Sequence, residues 1–399
     1  MAVSLDDKYT LARGRAYMSG IEALVKLPML QRQRDQAAGI NTAGYISGYR
    51  GSPLGGYDFA LSKAENHLKQ HHIHFQPGVN EELAATSIWG SQQVTLFEGA
   101  KYDGVFGLWY GKGPGLDRAM DAIKHANNTG ASKFGGVLAV VGDDHLCKSS
   151  TLAFQSEPMF AAATMPVLNP ASIQDVLDFG LLGWAMSRYS GCWVGLKTTA
   201  ANMDANVSTD VDPNRVAIVI PQNFDIPEDG LNSRWPDPPL AQEKRLQQKK
   251  IDAALVFARA NKIDQVIIDS PGLNSRRQLG IVTTGKAYLD TMQALSDLGI
   301  DAELAAEMGL GLYKVGMSWP LEPEGARAFA EGFDELMVIE EKRNLIEDQL
   351  KTQLYTLPDD KRPRIVGEFD ENGQRLVSNI AGLSPGDIAQ VIVQRLMRL

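Results

Sequence analysis

The chain is poor in cysteine, which limits both its redox chemistry and its compartment. Cys147 and Cys192 are the 2 cysteines among its 399 residues. Two thiols cannot form a disulfide framework, and they cannot hold an iron–sulfur cluster, which takes about four thiolates. Because few thiols are typical of proteins in a reducing compartment, we expect a cytoplasmic protein.

Basic charge and long apolar segments are also lacking. Lysine and arginine number 39 against 48 aspartate and glutamate residues, which gives a net charge of −9. A nucleic-acid-binding surface needs a basic excess, so we expect no nucleic-acid partner. The apolar runs, such as 136–142, are far shorter than the ~20 residues that cross a bilayer, and residues 1–8 are polar. We therefore predict neither a membrane segment nor a secretory leader.

Several common ligand-binding motifs are absent. No G-x-x-x-x-G-K-[ST] loop occurs, and Gly111-x-Gly113-x-Gly115 departs from the dinucleotide-binding G-x-G-x-x-G spacing. No G-x-S-x-G turn surrounds Ser149 or Ser150, so a hydrolase triad has no support. A cluster of histidines lacks a further metal ligand and is interpreted as solvated: His67, His71, His72 and His74. The sequence therefore predicts no metal site in this chain.

Strand-like and helix-like segments alternate in two regions of the chain. Continuous apolar runs such as 137–141 alternate with helical patterns, which predicts an α/β fold with a parallel sheet covered by helices. Prolines and polar residues interrupt this rhythm after about residue 206. We predict a first domain at 1–205, a linker at 206–250 and a smaller α/β domain at 251–399.

Polar or glycine-rich loops follow several predicted strands. These loops are 47–56, 111–115, 142–150 and 283–286. Ligands of open α/β sheets bind at the carboxyl ends of strands, so we expect the loops to converge on a ligand. Turn formation alone also accounts for glycine and proline in any one of them. Asp143, Asp144 and His145 end the clearest strand, and we interpret their loop as one that shapes the cleft.

Two adjacent carboxylates begin a predicted helix that follows a short strand. Glu81 and Glu82 point about 100° apart on a helix, so one can face inward while the other is solvated. An inward carboxylate needs a partner, because burial without one is unfavourable. Two interpretations stay open: an acid that the helix dipole favours, or a catalytic acid that meets a cofactor.

Short motifs follow one another in a characteristic order. In the first region they are Gly48-Tyr49-Arg50-Gly51-Ser52-Pro53, then Asn80-Glu81 with Ala84 and Gly90, then Gly142-Asp143-Asp144-His145 with Ser149-Ser150 and Gln155-Ser156-Glu157. In the second they are Ile281-Val282-Thr283-Thr284-Gly285, Lys314-Val315-Gly316-Met317-Ser318-Trp319-Pro320-Leu321 and Val338-Ile339-Glu340-Glu341. This order resembles the 2-oxoacid:ferredoxin oxidoreductase family, and in particular the thiamine-pyrimidine (alpha-type) portion of indolepyruvate ferredoxin oxidoreductase. The resemblance implies a thiamine-pyrimidine-binding domain followed by a transketolase C-terminal-like α/β domain.

The resemblance implies thiamine diphosphate as the cofactor and assigns roles to single residues. The catalytic acid matches Glu81, which would hydrogen-bond the ring nitrogen N1′ of the aminopyrimidine. The other implied positions are Gly51, Ser52, Pro53, Lys112 and Gly113 at the cofactor, and Arg50 and Ser52 at the substrate carboxylate. The family often has proline where Arg50 stands, and a Lys-His pair where this chain has Lys112 and Gly113.

The chain also lacks parts that such an enzyme requires. The Gly-Asp-Gly motif that holds Mg²⁺ and the diphosphate is missing, because Gly142-Asp143-Asp144 lacks the second glycine. The resemblance therefore implies a partner domain or subunit that brings the diphosphate site, Mg²⁺ and the iron–sulfur clusters. It further implies a gamma-type subunit or domain, ferredoxin and coenzyme A as partners, and an oligomeric assembly.

The reaction implied by the resemblance is oxidative decarboxylation of indolepyruvate or a related arylpyruvate to an acyl-CoA. Ferredoxin would accept the electrons. Two alternatives stay open: another thiamine-dependent decarboxylase or synthase subunit that works without ferredoxin, and a non-catalytic assembly subunit of the same fold.

Overall fold

Buried apolar strands build a parallel sheet in the first part of the chain, as their sequence predicts. A computed structural model describes residues 4–148, 152–269 and 277–398. The chain divides into a first unit, Met1–Asp144 with Lys148–Asn261, and a second unit, His145–Cys147 with Lys262–Leu399. Each unit contains a sheet with parallel strands, so the predicted α/β fold class is confirmed.

The first unit alternates strands and helices. Its strands are β1 (Arg15–Ser19), β2 (Thr42–Gly48), β3 (Ile73–Phe75), β4 (Gly104–Lys112), β5 (Val137–Asp143), β6 (Val167–Leu168), β7 (Val194–Thr199) and β8 (Asn206–Asp210). Its helices are α1 (Asp7–Thr10), α2 (Gly20–Ala37), α3 (Tyr57–Lys63), α4 (Glu65–Gln70), α5 (Glu81–Ser91), α6 (Gly113–Arg118), α7 (Met120–Thr129), α8 (Glu157–Ala162), α9 (Ile173–Ser190), α10 (Ala200–Met203), α11 (Pro239–Arg245) and α12 (Ile251–Ala260), with a 3₁₀ turn at Val94–Leu96 and a π-helical segment at Leu246–Lys250. Within this unit the parallel strands pair in the order β6-β7-β5-β4-β2-β3, and β1 pairs with β8 antiparallel.

The central strand shows why this sheet forms. Every residue of β5 is buried, which requires helices on both faces of the sheet. The neighbouring helix α9 begins at Ser172, whose hydroxyl accepts a hydrogen bond from the N–H of Asp175 at 3.1 Å. It ends at Gly191, which adopts a φ of 75° that favours glycine. Ser172 is therefore the N-cap of this helix.

The helix that follows the predicted linker packs on the first unit. Helix α12 buries an apolar face that includes Ala254, Phe257 and Ala258. The ring of Phe257 lies 5.9 Å from that of Tyr189 on α9. The first unit therefore extends to Asn261, beyond the boundary near 250 that composition predicts. The roles predicted for the two domains stay predictions.

The second unit carries a smaller sheet. Its strands are β9 (Gln265–Ile268), β10 (Arg277–Thr284), β11 (Leu310–Val315), β12 (Met317–Trp319), β13 (Phe333–Ile339) and β14 (Arg364–Val366). Its helices are α13 (Gly285–Asp297), α14 (Ala302–Met308), α15 (Pro323–Ala330), α16 (Ile346–Leu354) and α17 (Pro385–Leu396). Five of these strands, without β12, form the smaller sheet in the order β14-β13-β10-β11-β9, with β9 antiparallel to β11. Among the described helices of the chain, none has the length and apolar character needed to cross a bilayer.

Asp264 is a buried carboxyl group at the start of the second unit. Its Oδ1 accepts hydrogen bonds from the N–H groups of Gly316 and Met317, at 2.7 and 2.9 Å. Its Oδ2 is buried without a hydrogen-bond partner in the described part of the chain. Burial raises the pKa of Asp264 to about 7, although the two N–H groups oppose this shift.

This pKa predicts that Asp264 makes the unfolding free energy fall as the pH rises from about 4 to about 7. In that window the carboxyl group is ionised in the unfolded chain and protonated in the folded one, so the folded state binds more protons. The slope for one proton reaches at most about 1.4 kcal/mol per pH unit. Asp264→Asn should flatten the slope in urea unfolding at pH 5 and pH 7. Asp360→Asn, at an exposed carboxylate of the same unit, is the control and should leave it unchanged. An unaltered slope in Asp264→Asn would contradict the prediction.

Candidate functional site

Loops from three neighbouring strands meet at the carboxyl edge of the first sheet. A Cβ built on Gly51, after β2, would lie 2.7 Å from Cδ of Lys112, the last residue of β4. A Cβ on Gly142, near the end of β5, would lie 2.7 Å from Cδ of Pro53. The predicted convergence is therefore found for the loops after β2, β4 and β5.

One predicted loop lies in the other unit, and two residues of another loop lie outside the described residues. The fourth predicted loop, 283–286, follows β10 in the sheet of the second unit, so it does not share this edge. It lies in the region predicted as the smaller α/β domain, and its part in binding a ligand stays a prediction. Ser149 and Ser150 lie outside the described residues.

The start of helix α5 is fastened to the end of β2. The N–H of Gly78 donates to the carbonyl oxygen of Gly48 at 2.9 Å. A Cβ on Gly78 would lie 2.8 Å from Cβ of Ala84, so only glycine allows this close approach. The side chain of Asn80 accepts a hydrogen bond from the N–H of Leu83 at 2.8 Å and caps the helix. These contacts place the first residue of α5, Glu81, at the sheet edge.

Glu81 and Glu82 differ in burial as adjacent residues on a helix can. Glu81 is 6% exposed, whereas Glu82 is exposed. A Cβ on Gly115 would lie 2.7 Å from both Cγ and Oε1 of Glu81, so the missing side chain of Gly115 leaves room for the carboxylate. The indole Nε1 of Trp109 donates to the backbone oxygen of Glu81 at 2.9 Å. Within residues 4–148, 152–269 and 277–398, the carboxylate of Glu81 has no hydrogen bond or ion pair.

The burial of Glu81 bears on the two interpretations left open by the sequence. An acid that is favoured only by the helix dipole gains that benefit at the surface, as the exposed Glu82 does. Burial of most of an acidic side chain without a protein partner for its carboxylate is unfavourable. The arrangement favours an acid that meets a ligand.

Cations flank the edge that carries Glu81. Arg50 and Ser52 are exposed, while Lys112 is half-buried beside Gly51. The described part of the chain offers neither Arg50 nor Lys112 an ion-pair partner. Pro53 is buried and follows a cis peptide bond. The predicted substrate-carboxylate residues therefore lie at an open part of the edge.

The first turn of α6 carries two glycines that are each covered by another side chain. Gly115 is covered by Glu81, as described above. At Gly113 a Cβ would lie 2.0 Å from Cδ1 of Phe154, so the aromatic ring takes that space. Helix α6 begins at Gly113 because Pro114 suits the first turn of a helix, where its missing N–H is not needed.

A buried polar network joins the ends of β5 and β7. Oδ2 of Asp143 accepts hydrogen bonds from both the N–H and the hydroxyl of Ser156, each at 2.9 Å. Nζ of Lys197 lies 2.6 Å from Oε1 of Glu157 and 3.9 Å from Oδ2 of Asp143. These bonds tie the segment after residue 151 to the sheet. They fit the interpretation of Asp143 as a residue that shapes the cleft.

His145 has its contacts in the second unit. Its Nδ1 lies 2.8 Å from Oε2 of Glu341, and Nζ of Lys342 donates to its backbone oxygen at 2.7 Å. Both the imidazole and the carboxylate are buried. The sequence neighbours Asp143 and Asp144 belong to the first unit, so the motif is divided between the two units.

Three residues of the site were not singled out from the sequence. Trp109 holds the backbone of Glu81, Gly115 makes room for its carboxylate, and Phe154 covers Gly113. In the sequence, Trp109 is an ordinary residue of an apolar strand. Gly115 belongs to a glycine motif whose spacing departs from that of dinucleotide-binding proteins. No local signal marks Phe154, because its contact with Gly113 links residues far apart in the chain.

Comparisons with solved structures concern the fold. A 2-oxoglutarate:ferredoxin oxidoreductase from Magnetococcus marinus, with 2-oxoglutarate, coenzyme A and succinyl-CoA bound, matches with a TM-score of 0.65 at 14% identity, covering 96% of this chain and 65% of that one. A split-gene transketolase, described as an inactive beta4 tetramer, matches with a TM-score of 0.55 at 11% identity, covering 95% and 98%. The fold is one shared by 2-oxoacid oxidoreductases and transketolases.

Sequence comparisons show similarity to indolepyruvate oxidoreductases. Residues 272–399 match a family model described as an indolepyruvate oxidoreductase domain. The indolepyruvate oxidoreductase subunit IorA of Methanothermobacter thermautotrophicus is 24% identical over 330 residues, covering 82% of this chain and 48% of that protein. The subunit of the same name from Methanothermobacter marburgensis is 23% identical over 399 residues, covering 96% and 57%. The chain thus spans about half the length of these relatives. Its sequence is similar to indolepyruvate oxidoreductase subunits, and its fold is similar to that of a 2-oxoacid:ferredoxin oxidoreductase.

Proposed function

We propose that this chain supplies the thiamine-pyrimidine side of a thiamine-diphosphate-dependent 2-oxoacid oxidoreductase. The reaction is oxidative decarboxylation of indolepyruvate or a related arylpyruvate to an acyl-CoA, with ferredoxin as electron acceptor. The observation that carries the proposal is the carboxylate of Glu81. It is buried at the carboxyl edge of a parallel sheet, and the described part of the chain provides it no partner.

The residues at this edge fit an aminopyrimidine ring. A buried carboxylate that lacks a protein partner suits a ring nitrogen that can carry a proton. The missing side chain of Gly115 leaves the room that the carboxylate itself occupies. In the proposal Glu81 binds the aminopyrimidine, and Gly51, Ser52, Pro53, Lys112 and Gly113 line the cofactor position.

The chain's own side chains divide the work in this proposal. When bound, thiamine diphosphate supplies a carbon nucleophile and an electron sink for the loss of carbon dioxide. Glu81 shares a proton with ring nitrogen N1′, and the low polarity around a largely buried side chain strengthens that hydrogen bond. Trp109 fixes the backbone at Glu81. Arg50 and Ser52 bind and orient the substrate carboxylate from the exposed part of the edge.

The proposal includes partners that carry what this chain lacks. The relatives named above are subunits of about twice its length. In the proposal, a partner domain or subunit brings the diphosphate site, its Mg²⁺ and the iron–sulfur clusters. Val79 and Leu83, which flank Glu81 in the sequence, are apolar and exposed, and such residues suit a surface that another polypeptide covers.

The proposed reaction predicts a dependence on two co-substrates. The assembled enzyme should release carbon dioxide from indolepyruvate only when coenzyme A and oxidised ferredoxin are both present, because the electrons and the acyl group need acceptors. Release of labelled carbon dioxide, with each component omitted in turn, is the measurement. Release that continues without ferredoxin would instead support another thiamine-dependent decarboxylase or synthase. No release with any arylpyruvate would contradict the proposed reaction.

A further inference from the structure

Phe154 presents a half-buried aromatic ring at the edge that carries Glu81. One side of the ring packs on Gly113, where the distances from a built Cβ to Cδ1 and Cγ are 2.0 and 2.3 Å. The ring is only partly buried. In the described part of the chain it makes no contact with another ring or with a cation. Part of the ring is therefore exposed beside Gly113.

The segment that carries this ring is held in place. Two residues further on, Ser156 donates from its N–H and its hydroxyl to the buried Oδ2 of Asp143, each at 2.9 Å. Helix α8 then begins at Glu157, which pairs with Lys197 at 2.6 Å. The ring position is thus fixed relative to the strand ends, which a contact that selects a substrate requires.

Phe154 and Glu81 lie on different sides of the first turn of helix α6. Glu81 covers Gly115, and Phe154 covers Gly113, two residues earlier on the same helical turn. Residues two apart on a helix point to nearly opposite sides, at about 200°. The carboxylate of Glu81 therefore lies on the Gly115 side of the turn. The ring of Phe154 lies on the other side, at Gly113, and can contact a group that the carboxylate does not hold.

Resting on the proposed function, we propose that Phe154 contacts the aromatic side chain of the arylpyruvate and sets the preference for aromatic over aliphatic 2-oxoacids. Aromatic rings pair favourably in offset-stacked or edge-to-face arrangements, in addition to the apolar area that they bury. An aliphatic 2-oxoacid such as pyruvate has no group that reaches the ring. Loss of the ring therefore weakens the binding of one substrate class only.

The test compares two substrates in the assembled enzyme. Phe154→Leu should lower kcat/KM for indolepyruvate by about tenfold or more, the range known for the loss of one apolar contact in a specificity pocket. The value for pyruvate should stay within about twofold, since no contact with it is lost. Phe154→Tyr keeps the ring and should keep the preference. Leu152→Ala, at an exposed position of the same segment, is the control and should behave as wild type.

Two further readouts make the outcome decisive. Titration of the assembled protein with thiamine diphosphate should give the same Kd for Phe154→Leu as for wild type, and circular dichroism should show the same fold. An equal fall for both substrates, a weakened thiamine diphosphate Kd, or unchanged kinetics in Phe154→Leu would each overturn the inference while the proposed reaction stands. A wild-type assembly without activity on any arylpyruvate would overturn the proposed function and this inference with it.

Discussion

Glu81→Gln is expected to lower kcat of the assembled enzyme by about 100-fold or more, the range found when a proton-transferring group is removed. Glutamine preserves the shape of the side chain, but its amide cannot share a proton with N1′. Glu81 is largely buried, so the described part of the chain offers no exposed acid in its place. Steady-state turnover at saturating substrate and cofactor is the measurement.

The chain offers a matched control beside this residue. Glu82 stands on the same first turn of α5 and is exposed, so Glu82→Gln removes the same charge from the helix start without touching the site. If the helix dipole explained both acids, the two variants would behave alike. Equal turnover in Glu81→Gln and Glu82→Gln would therefore contradict the assignment and favour an assembly subunit without a catalytic acid.

Gly115→Ala is expected to lower turnover by about 100-fold through displacement of Glu81, since a misplacement of about 1 Å at a reacting group can have that effect. The new Cβ would stand 2.7 Å from both Cγ and Oε1 of the carboxylate, which is closer than real contacts allow. The obstructed atoms are the far end of a flexible side chain, so the side chain moves and the fold persists. Turnover, together with the Kd for thiamine diphosphate, measures the displacement.

Gly90→Ala provides the control for the change from glycine to alanine. Gly90 lies on α5 near its end, and a Cβ there meets no atom within 4 Å. This variant should keep full turnover and gain slightly in stability, by about 0.5–1 kcal/mol, because alanine favours a helix. Urea unfolding of both variants separates site effects from folding effects. Full turnover in Gly115→Ala would show that the position of Glu81 is unimportant.

Local sequence patterns predicted strands and helices that hold the site, because interactions between residues close in the chain largely determine where such segments form. The apolar run of β5 indicated a strand buried on both faces, and the strand is found at Val137–Asp143. The helical segment that follows β4 is divided into α6 and α7, separated by Ala119. Proline at the first turn also moves the start of α6 to Gly113, which brings that glycine into the site.

Long-range contacts could not be predicted from the sequence. The packing of α12 on α9 depends on which surface receives its apolar face, and composition carries no such information. Phe154 reaches Gly113 across the fold, so its position had no local signal. The adjacent Glu81 and Glu82 could be found from sequence, but only burial separates them.

The central claim is that Glu81 shares a proton with ring nitrogen N1′ of thiamine diphosphate. Nitrogen-15 NMR of the assembled enzyme, loaded with cofactor labelled at N1′, tests it without relying on turnover. We predict an N1′ resonance shifted toward the protonated position in wild type and in Glu82→Gln, and an unshifted resonance in Glu81→Gln. The same N1′ resonance in Glu81→Gln as in wild type would contradict the account.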